Sequence, residues 1–333
     1  ITNLCVTLTL IYAGMGFYSL AWGQTSGVAI QGLIAATFLR PVKMEYRPSL
    51  KRIGGIASLG IFNSAASVMR KATVIIPDLI LGKMGTTYDV GMFSRGLGFI
   101  QFVSQSVMMG VSPVALPYLS GARREGGDVR FAYQRATVLL GGMVWPVLIV
   151  GSVASLPAIR MFFGDQWDAA APLASWLAIW AALRSVHWFS NELLLATHHE
   201  KVMVTKDLVI FAVLFAGIVW SYPSGLESVA KVFMFVGILE VIMITCVLRV
   251  YINLSIWPFI KAWFPNILVA TGCGLVALGV KQVINFETAD AWKPAIALIL
   301  VMPPAWILLL YAVKHPLFSE LFRLLKTVTV RFK

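Results

Sequence analysis

Charge is scarce in this chain. Of its 333 residues, 13% are Asp, Glu, Lys or Arg, while 59% are hydrophobic. An ordinary soluble domain is about 25% charged and about 45–50% apolar. A soluble fold could not cover so much apolar surface, so a large water-exposed core is excluded. Cysteine is almost missing. Cys5, Cys246 and Cys273 lie in or beside apolar runs, with no CxxC pair and no metal-like spacing. Neither a disulfide framework nor a zinc site is indicated, and the three behave as small hydrophobes. Catalytic signatures are missing as well: no P-loop, no GxSxG, no HExxH and no paired carboxylates in a loop. The chain is therefore not expected to be an enzyme, to carry a cofactor, or to be driven by ATP bound to itself.

What remains is a series of long apolar runs, such as 138–156, 208–220 and 295–313. A hydrocarbon core about 30 Å thick needs roughly 20 mainly apolar residues to cross as a helix. The expected fold is all-α, a polytopic transmembrane helix bundle of about ten spans. They lie near 1–14, 17–39, 54–82, 87–116, 131–160, 169–197, 202–220, 226–250, 262–284 and 294–313. The chain opens at Ile1 in what reads as the middle of an apolar segment, with no charged n-region before it. The expectation is a fragment of a longer chain rather than a signal peptide.

The net charge is +12. Its distribution argues against nucleic acid, because the basic residues flank the spans instead of forming one patch. Arg40, Lys43, Arg47, Lys51 and Arg52 mark one loop, and Arg123, Arg124, Arg130 and Arg135 the next on that side. Lys201 with Lys206, Arg249 with Lys261, and the tail from Lys314 to Lys333 continue the series. The intervening loops carry only Lys83, Arg160, Lys231, Lys281 and Lys293. By the positive-inside rule both ends of the chain are expected in the cytoplasm. In 315–330, Phe318, Leu321, Phe322, Leu325 and Val328 recur at spacings of three and four, as an in-plane amphipathic helix does. Segment 45–53 is a shorter version. Both read as anchors against membrane lipids.

Four segments resemble a known family. DLILGKMGTTYDVGMFSRGLG (Asp78–Gly98), SPVALPYLSGARREGGDVRFAYQRA (Ser112–Ala136), FFGDQWDAAAPLASWLAI (Phe162–Ile179) and LLLATHHEK (Leu193–Lys201) resemble, in order and spacing, bacterial polysaccharide-export flippases. These Wzx-type proteins form the polysaccharide branch of the multidrug/oligosaccharidyl-lipid/polysaccharide superfamily. Two departures are Pro77 before Asp78 and His198–His199 where relatives carry Gly-Arg. The resemblance implies a fold of two six-helix lobes, similar to multidrug antiporters. Residues 1–39 would be the last two helices of a truncated first lobe and 40–53 a cytoplasmic linker. Residues 54–250 would form a complete second lobe, 251–313 two further helices, and 314–333 a cytoplasmic tail. It also implies a bacterial inner-membrane location and, as substrate, a lipid-linked oligosaccharide of the polyprenyl diphosphate type. A proton or sodium gradient, or removal of product by polymerase and export machinery, is the expected source of drive. A drug or cation antiporter, a polymerase or ligase of the same pathway, and a non-transporting component are the alternatives.

Charges inside spans are costly and tend to face protein or water, where function resides. In 54–82, Asn63 and Arg70 lie seven residues apart, as do Lys71 and Asp78, with Ser64 and Ser67 beside them. From Asn63 to Asp78 such a stripe covers about 22 Å of depth. Arg70 suits bidentate phosphate binding and Lys71 supplies a compact charge. An internal ion pair, Lys71 with Asp78 or with another helix, is the structural alternative. In 169–197, Trp176, Trp180, Arg184, His187 and Asn191 recur at four, four, three and four residues, as if on one face. Aromatics there suit sugar stacking and Arg or His suits phosphate, while helix-joining contacts explain the same residues structurally. Gln101 and Gln105, one turn apart, and Arg95 complete the candidate cavity lining. Asp207 and Glu240 stand as isolated acids, either one a candidate ion-coupling site, while Glu192, on a neighbouring face, is placed to pair with a cation from another helix. The excess of Arg70, Lys71, Arg95 and Arg184 over Asp78 favours an anionic substrate.

Overall fold

The computed structural model describes residues 2–38 and 53–331. The linker 40–53 and the short amphipathic segment 45–53 lie almost wholly outside the described residues. Every regular element described is helical, as a chain with these apolar runs requires when its backbone groups must be satisfied internally.

Residues 1–56 form one compact unit and 57–333 another. In the first, α1 (Thr2–Tyr12) packs against α2 (Tyr18–Phe38). The second holds α3 (Ile53–Met84) from residue 57 onward, then α4 (Thr87–Arg124), α5 (Val129–Val153) and the short α6 (Ser155–Phe163). Then come α7 (Ala170–Ser185), α8 (Ser190–Ala196), α9 (Glu200–Ser221), α10 (Leu226–Ile252), α11 (Ile256–Val283), α12 (Trp292–Ala312) and α13 (Pro316–Arg331).

By length and hydropathy, α5, α9, α10, α11 and α12 are long and apolar enough to cross a membrane. Helix α4 joins them if its two halves, bent by 45° between Met109 and Val114, are one span. At about 1.5 Å per residue its 38 residues exceed a hydrocarbon core, so it must tilt, bend or project. Helix α3 has the length, but Asn63, Arg70, Lys71 and Asp78 dilute its apolarity. The 169–197 run is not one helix: α7 stops at Ser185 and α8 starts at Ser190. Ser185 donates to the Ala182 carbonyl at 2.7 Å, a local bond that competes with the helix ladder at the break.

Helices α5 and α7 are the centre of the second unit. Helix α7 packs on α4, α5 and α10, and α5 on α4, α7 and α11; α9 lies on α10 and α12 on α11. The small side chains of α7, among them Ala170, Ala174, Ala178 and Ala182, are buried and let its neighbours approach closely. One close approach is on α5. A Cβ at Gly141 would sit 2.6 Å from Trp263 and Asn266 of α11, and one at Gly142 would sit 2.6 Å from the His315 ring. Residues 251–313 thus pack as part of this unit, with α11 against α5.

The tail helix matches its expected amphipathic pattern. Leu317 is buried, and Phe318 and Leu321 pack beside it on a cluster from α11 and α12. Arg135 of α5 bonds Glu320. The turn before it is clamped by His315, whose Nε2 faces Asn266 Oδ1 at 2.6 Å while Nδ1 accepts from the Leu317 N–H at 3.0 Å. Burial pushes the His315 imidazole down to about 4, so it is neutral near pH 7.

Candidate functional site

A polar cleft of about 160 Å³ opens among α3, α7, α8, α9 and α10, lined by Arg70, Arg184, His187, Asn191, Glu192, Lys206, Asp207 and Glu240, with Trp188 and Ser190. A second hollow adjoins it through Arg70 and Arg184, and Ser67, Lys71 and Gln105 line its walls. Ionisable residues from helices remote in sequence therefore meet inside an otherwise apolar bundle.

Each charge is placed by its helix. Helix α3 buries a narrow stripe, Ala66, Thr73, Pro77 and Leu81, at spacings of seven, four and four. Arg70 lies on the flank of that stripe and reaches Asp207 of α9, Nη1 to Oδ2 at 2.9 Å, while its Nη2 donates to Ser67 at 2.8 Å. Asp207 also takes Lys206 Nζ on Oδ1 at 2.5 Å. In the same cleft, Arg184 Nε lies 3.3 Å from Glu240 Oε2. The Arg184 guanidinium also covers the Trp180 ring at 4.8 Å. Three oxygens lining the cleft, on Asn191, Glu192 and Glu240, are buried without a hydrogen-bond partner among the described residues. The Glu240 oxygen is in ion-pair range of Arg184, but the angle is poor for a hydrogen bond.

His187 is held through both ring nitrogens. Thr245 Oγ1 donates to the Val241 carbonyl at 2.7 Å, so it must accept from His187 Nε2 at 2.8 Å. In the neutral ring, Nδ1 then accepts from the Tyr133 hydroxyl at 2.8 Å. Phe259 stacks on the imidazole at 5.0 Å. Both nitrogens are satisfied without a charge, which makes His187 a helix-joining core residue.

The expected candidates separate into groups. Arg70, Arg184, His187 and Asn191 meet in the cleft, and Lys71 and Gln105 line its extension. Trp180 differs from expectation: it is 3% exposed, capped by Arg184 and set edge-on to Phe233 at 5.0 Å. No face of its ring is open to a sugar, and its role is to hold Arg184. The single face expected for 176, 180, 184, 187 and 191 does not form, because the α7–α8 break falls between Arg184 and Asn191. Arg95 sits apart, over Trp167 at 4.9 Å and Phe163 at 5.4 Å. Asp78 accepts from Ser94 at 3.0 Å, and no ion pair joins it to Lys71 among the described residues. Asn63 is exposed and Gln101 half-buried, and neither lines the cleft.

Sequence reasoning missed the anionic half of this site. Asp207 and Glu240, isolated in sequence, are the partners of Arg70 and Arg184. Lys206, expected in a loop, lies in the second turn of α9 with its side chain 3% exposed. Around the cleft Arg70, Arg184 and Lys206 are met by Asp207, Glu240 and Glu192, so the expected cationic excess is largely balanced. What is left over is Lys71, exposed and without an ion-pair partner among the described residues. The signal that was available is the rule that in-span acids face partners or a pathway.

Outside the spans, a clasp ties α6 to the loops around it. Arg160 holds Asp168 through both carboxylate oxygens, at 2.9 and 2.6 Å, and donates to the Glu287 carbonyl at 2.8 Å. That bidentate bond holds the Asp168 carboxyl below the usual carboxylate range.

Comparison with known proteins places this bundle. No solved structure matches the chain. The teichuronic acid biosynthesis protein TuaB of Bacillus subtilis (strain 168) is 22% identical over 228 residues, covering 67% of this chain and 47% of the relative. The chain thus matches about half the length of that protein. The family model described as "Polysaccharide biosynthesis protein" matches residues 1–172, a little over half of the chain. An all-helical membrane bundle with a buried polar cleft and that match belongs to the polysaccharide biosynthesis protein family.

Proposed function

We propose that this chain is part of a flippase that moves a lipid-linked oligosaccharide precursor across the bacterial inner membrane by alternating access. The observation that carries the reading is the cleft itself. Arg70, Lys71 and Arg184 line an open hollow in the wall of an apolar bundle, where a diphosphate headgroup needs cations and its lipid tail needs hydrocarbon. Family membership and the relative named for teichuronic acid biosynthesis support a polysaccharide biosynthesis pathway as the setting. The basic residues flanking the spans support cytoplasmic ends. Absence of a nucleotide-binding motif supports drive by a proton or sodium gradient, or by polymerase and export machinery removing product.

The three acids of the cleft favour a second reading, a cation or drug antiporter in which Asp207, Glu240 and Glu192 face the substrate. Complementation separates the two. The full-length gene should restore polysaccharide export to a strain lacking its own flippase. Arg70→Ala and Lys71→Ala, inserted at normal levels, should lower export by about tenfold or more, the effect of a lost charged contact. Full export by both variants overturns the reading. Drug resistance without export supports the antiporter.

A further inference from the structure

Asp207 holds two cations at once, and they differ in their surroundings. Lys206 and Asp207 are embedded in the wall, with side chains 3% and 5% exposed, whereas Arg70 keeps 32% of its side chain open. Each Asp207 oxygen has its own partner, Oδ1 with Lys206 and Oδ2 with Arg70. If Arg70 leaves, the carboxylate is still neutralised by Lys206, so no buried charge is stranded. Arg70 in turn places one nitrogen on Asp207 and one on Ser67, its own helix neighbour. A guanidinium fork engages two oxygens of a phosphate better than one oxygen of a carboxylate. The hollow on its open side holds Lys71, Gln105 and Arg184, which suit the rest of such a group.

We propose that Asp207 is an internal counter-anion: it holds Arg70 while the cleft is empty and yields it to a phosphate-bearing headgroup. The ion pair between α3 and α9 is then a latch opened by ligand exchange. Asp207 becomes a positioning residue that sets affinity and couples occupancy to the freedom of α3. This rests on the phosphate-bearing substrate proposed above.

The test is binding of two probes, farnesyl diphosphate and inorganic diphosphate, to the full-length protein in lipid nanodiscs. Asp207→Asn removes the competing carboxylate and should tighten binding by about tenfold. A merely structural acid would give weaker binding on mutation. If Asp207→Asn fails to fold because Lys206 is stranded, the pair Lys206→Met with Asp207→Asn removes both buried charges and should show the same gain. A gain with both probes, or with the lipid probe alone, supports the latch. If Arg70→Ala weakens binding but neither Asp207 variant tightens it, the latch is overturned while the phosphate site stands. If Arg70→Ala binds both probes as well as the wild type, the phosphate site fails and the latch with it.

Discussion

The Gly141–Gly142 pair on α5 makes a sharp stability prediction. An alanine methyl at Gly142 would lie 2.6 Å from His315 Cε1, 3.1 Å from Nε2 and 3.2 Å from Nδ1. The ring cannot retreat freely, because Asn266 and the Leu317 N–H hold its two nitrogens. Overpacking costs about 1–3 kcal/mol. Breaking the Asn266 contact leaves its buried Oδ1 unpaired, beside an Nδ2 that has no partner among the described residues, and adds about 1–3 kcal/mol. The better helix propensity of alanine offsets about 1 kcal/mol. Gly142→Ala should therefore destabilise by about 1–5 kcal/mol, balancing those three effects. Gly151, on the same helix, has open space within 4 Å of where a methyl would sit, so Gly151→Ala should be neutral or stabilising by up to about 1 kcal/mol. Thermal and SDS denaturation of the purified protein in detergent measures both. Equal stability of the two variants would refute the close-approach reasoning.

Further expectations concern the charges and the two buried imidazoles. Arg184→Ala strands Glu240, which is 8% exposed, and should cost about 3–5 kcal/mol; adding Glu240→Gln should recover most of it, as a double-mutant cycle of denaturation midpoints will show. His315 is neutral in the fold, with its pKa at about 4 against 6.5 in its ordinary state. Its contribution is complete above pH 6.5 and is lost as pH falls towards 4, about 3 kcal/mol in all. His315→Gln should flatten that part of a stability–pH profile, and an unchanged slope contradicts the assignment. Tyr133→Phe leaves His187 Nδ1 without its donor and should cost about 1–3 kcal/mol, read as a lowered melting temperature at normal expression.

Much of the architecture was legible because hydropathy and loop charge are one-dimensional signals. The runs 202–220, 226–250, 262–284 and 294–313 correspond to α9, α10, α11 and α12 within a few residues. The 315–330 periodicity corresponds to α13. Run 169–197 misled, since the break at 186–189 is made by Ser185 and tertiary contacts rather than by Gly or Pro. Arg70 and Arg184 could be named from their cost in a membrane span. Their partners could not, because Asp207 lies 137 residues from Arg70 along the chain and meets it only through packing.

The amino-acid sequence by itself determined the class of this protein. Scarce charge and apolar runs of spanning length leave an α-helical membrane bundle as the stable arrangement. It also determined which charges needed explaining, since any in-span ion must find water or a partner. Only the tertiary structure decided how they are met. It set Trp180 under the Arg184 guanidinium, joined His187 to Tyr133 and Thr245, and set Asp207 between Lys206 and Arg70. The physical reason is that pairing energy depends on distance and burial, which separation along a chain does not encode.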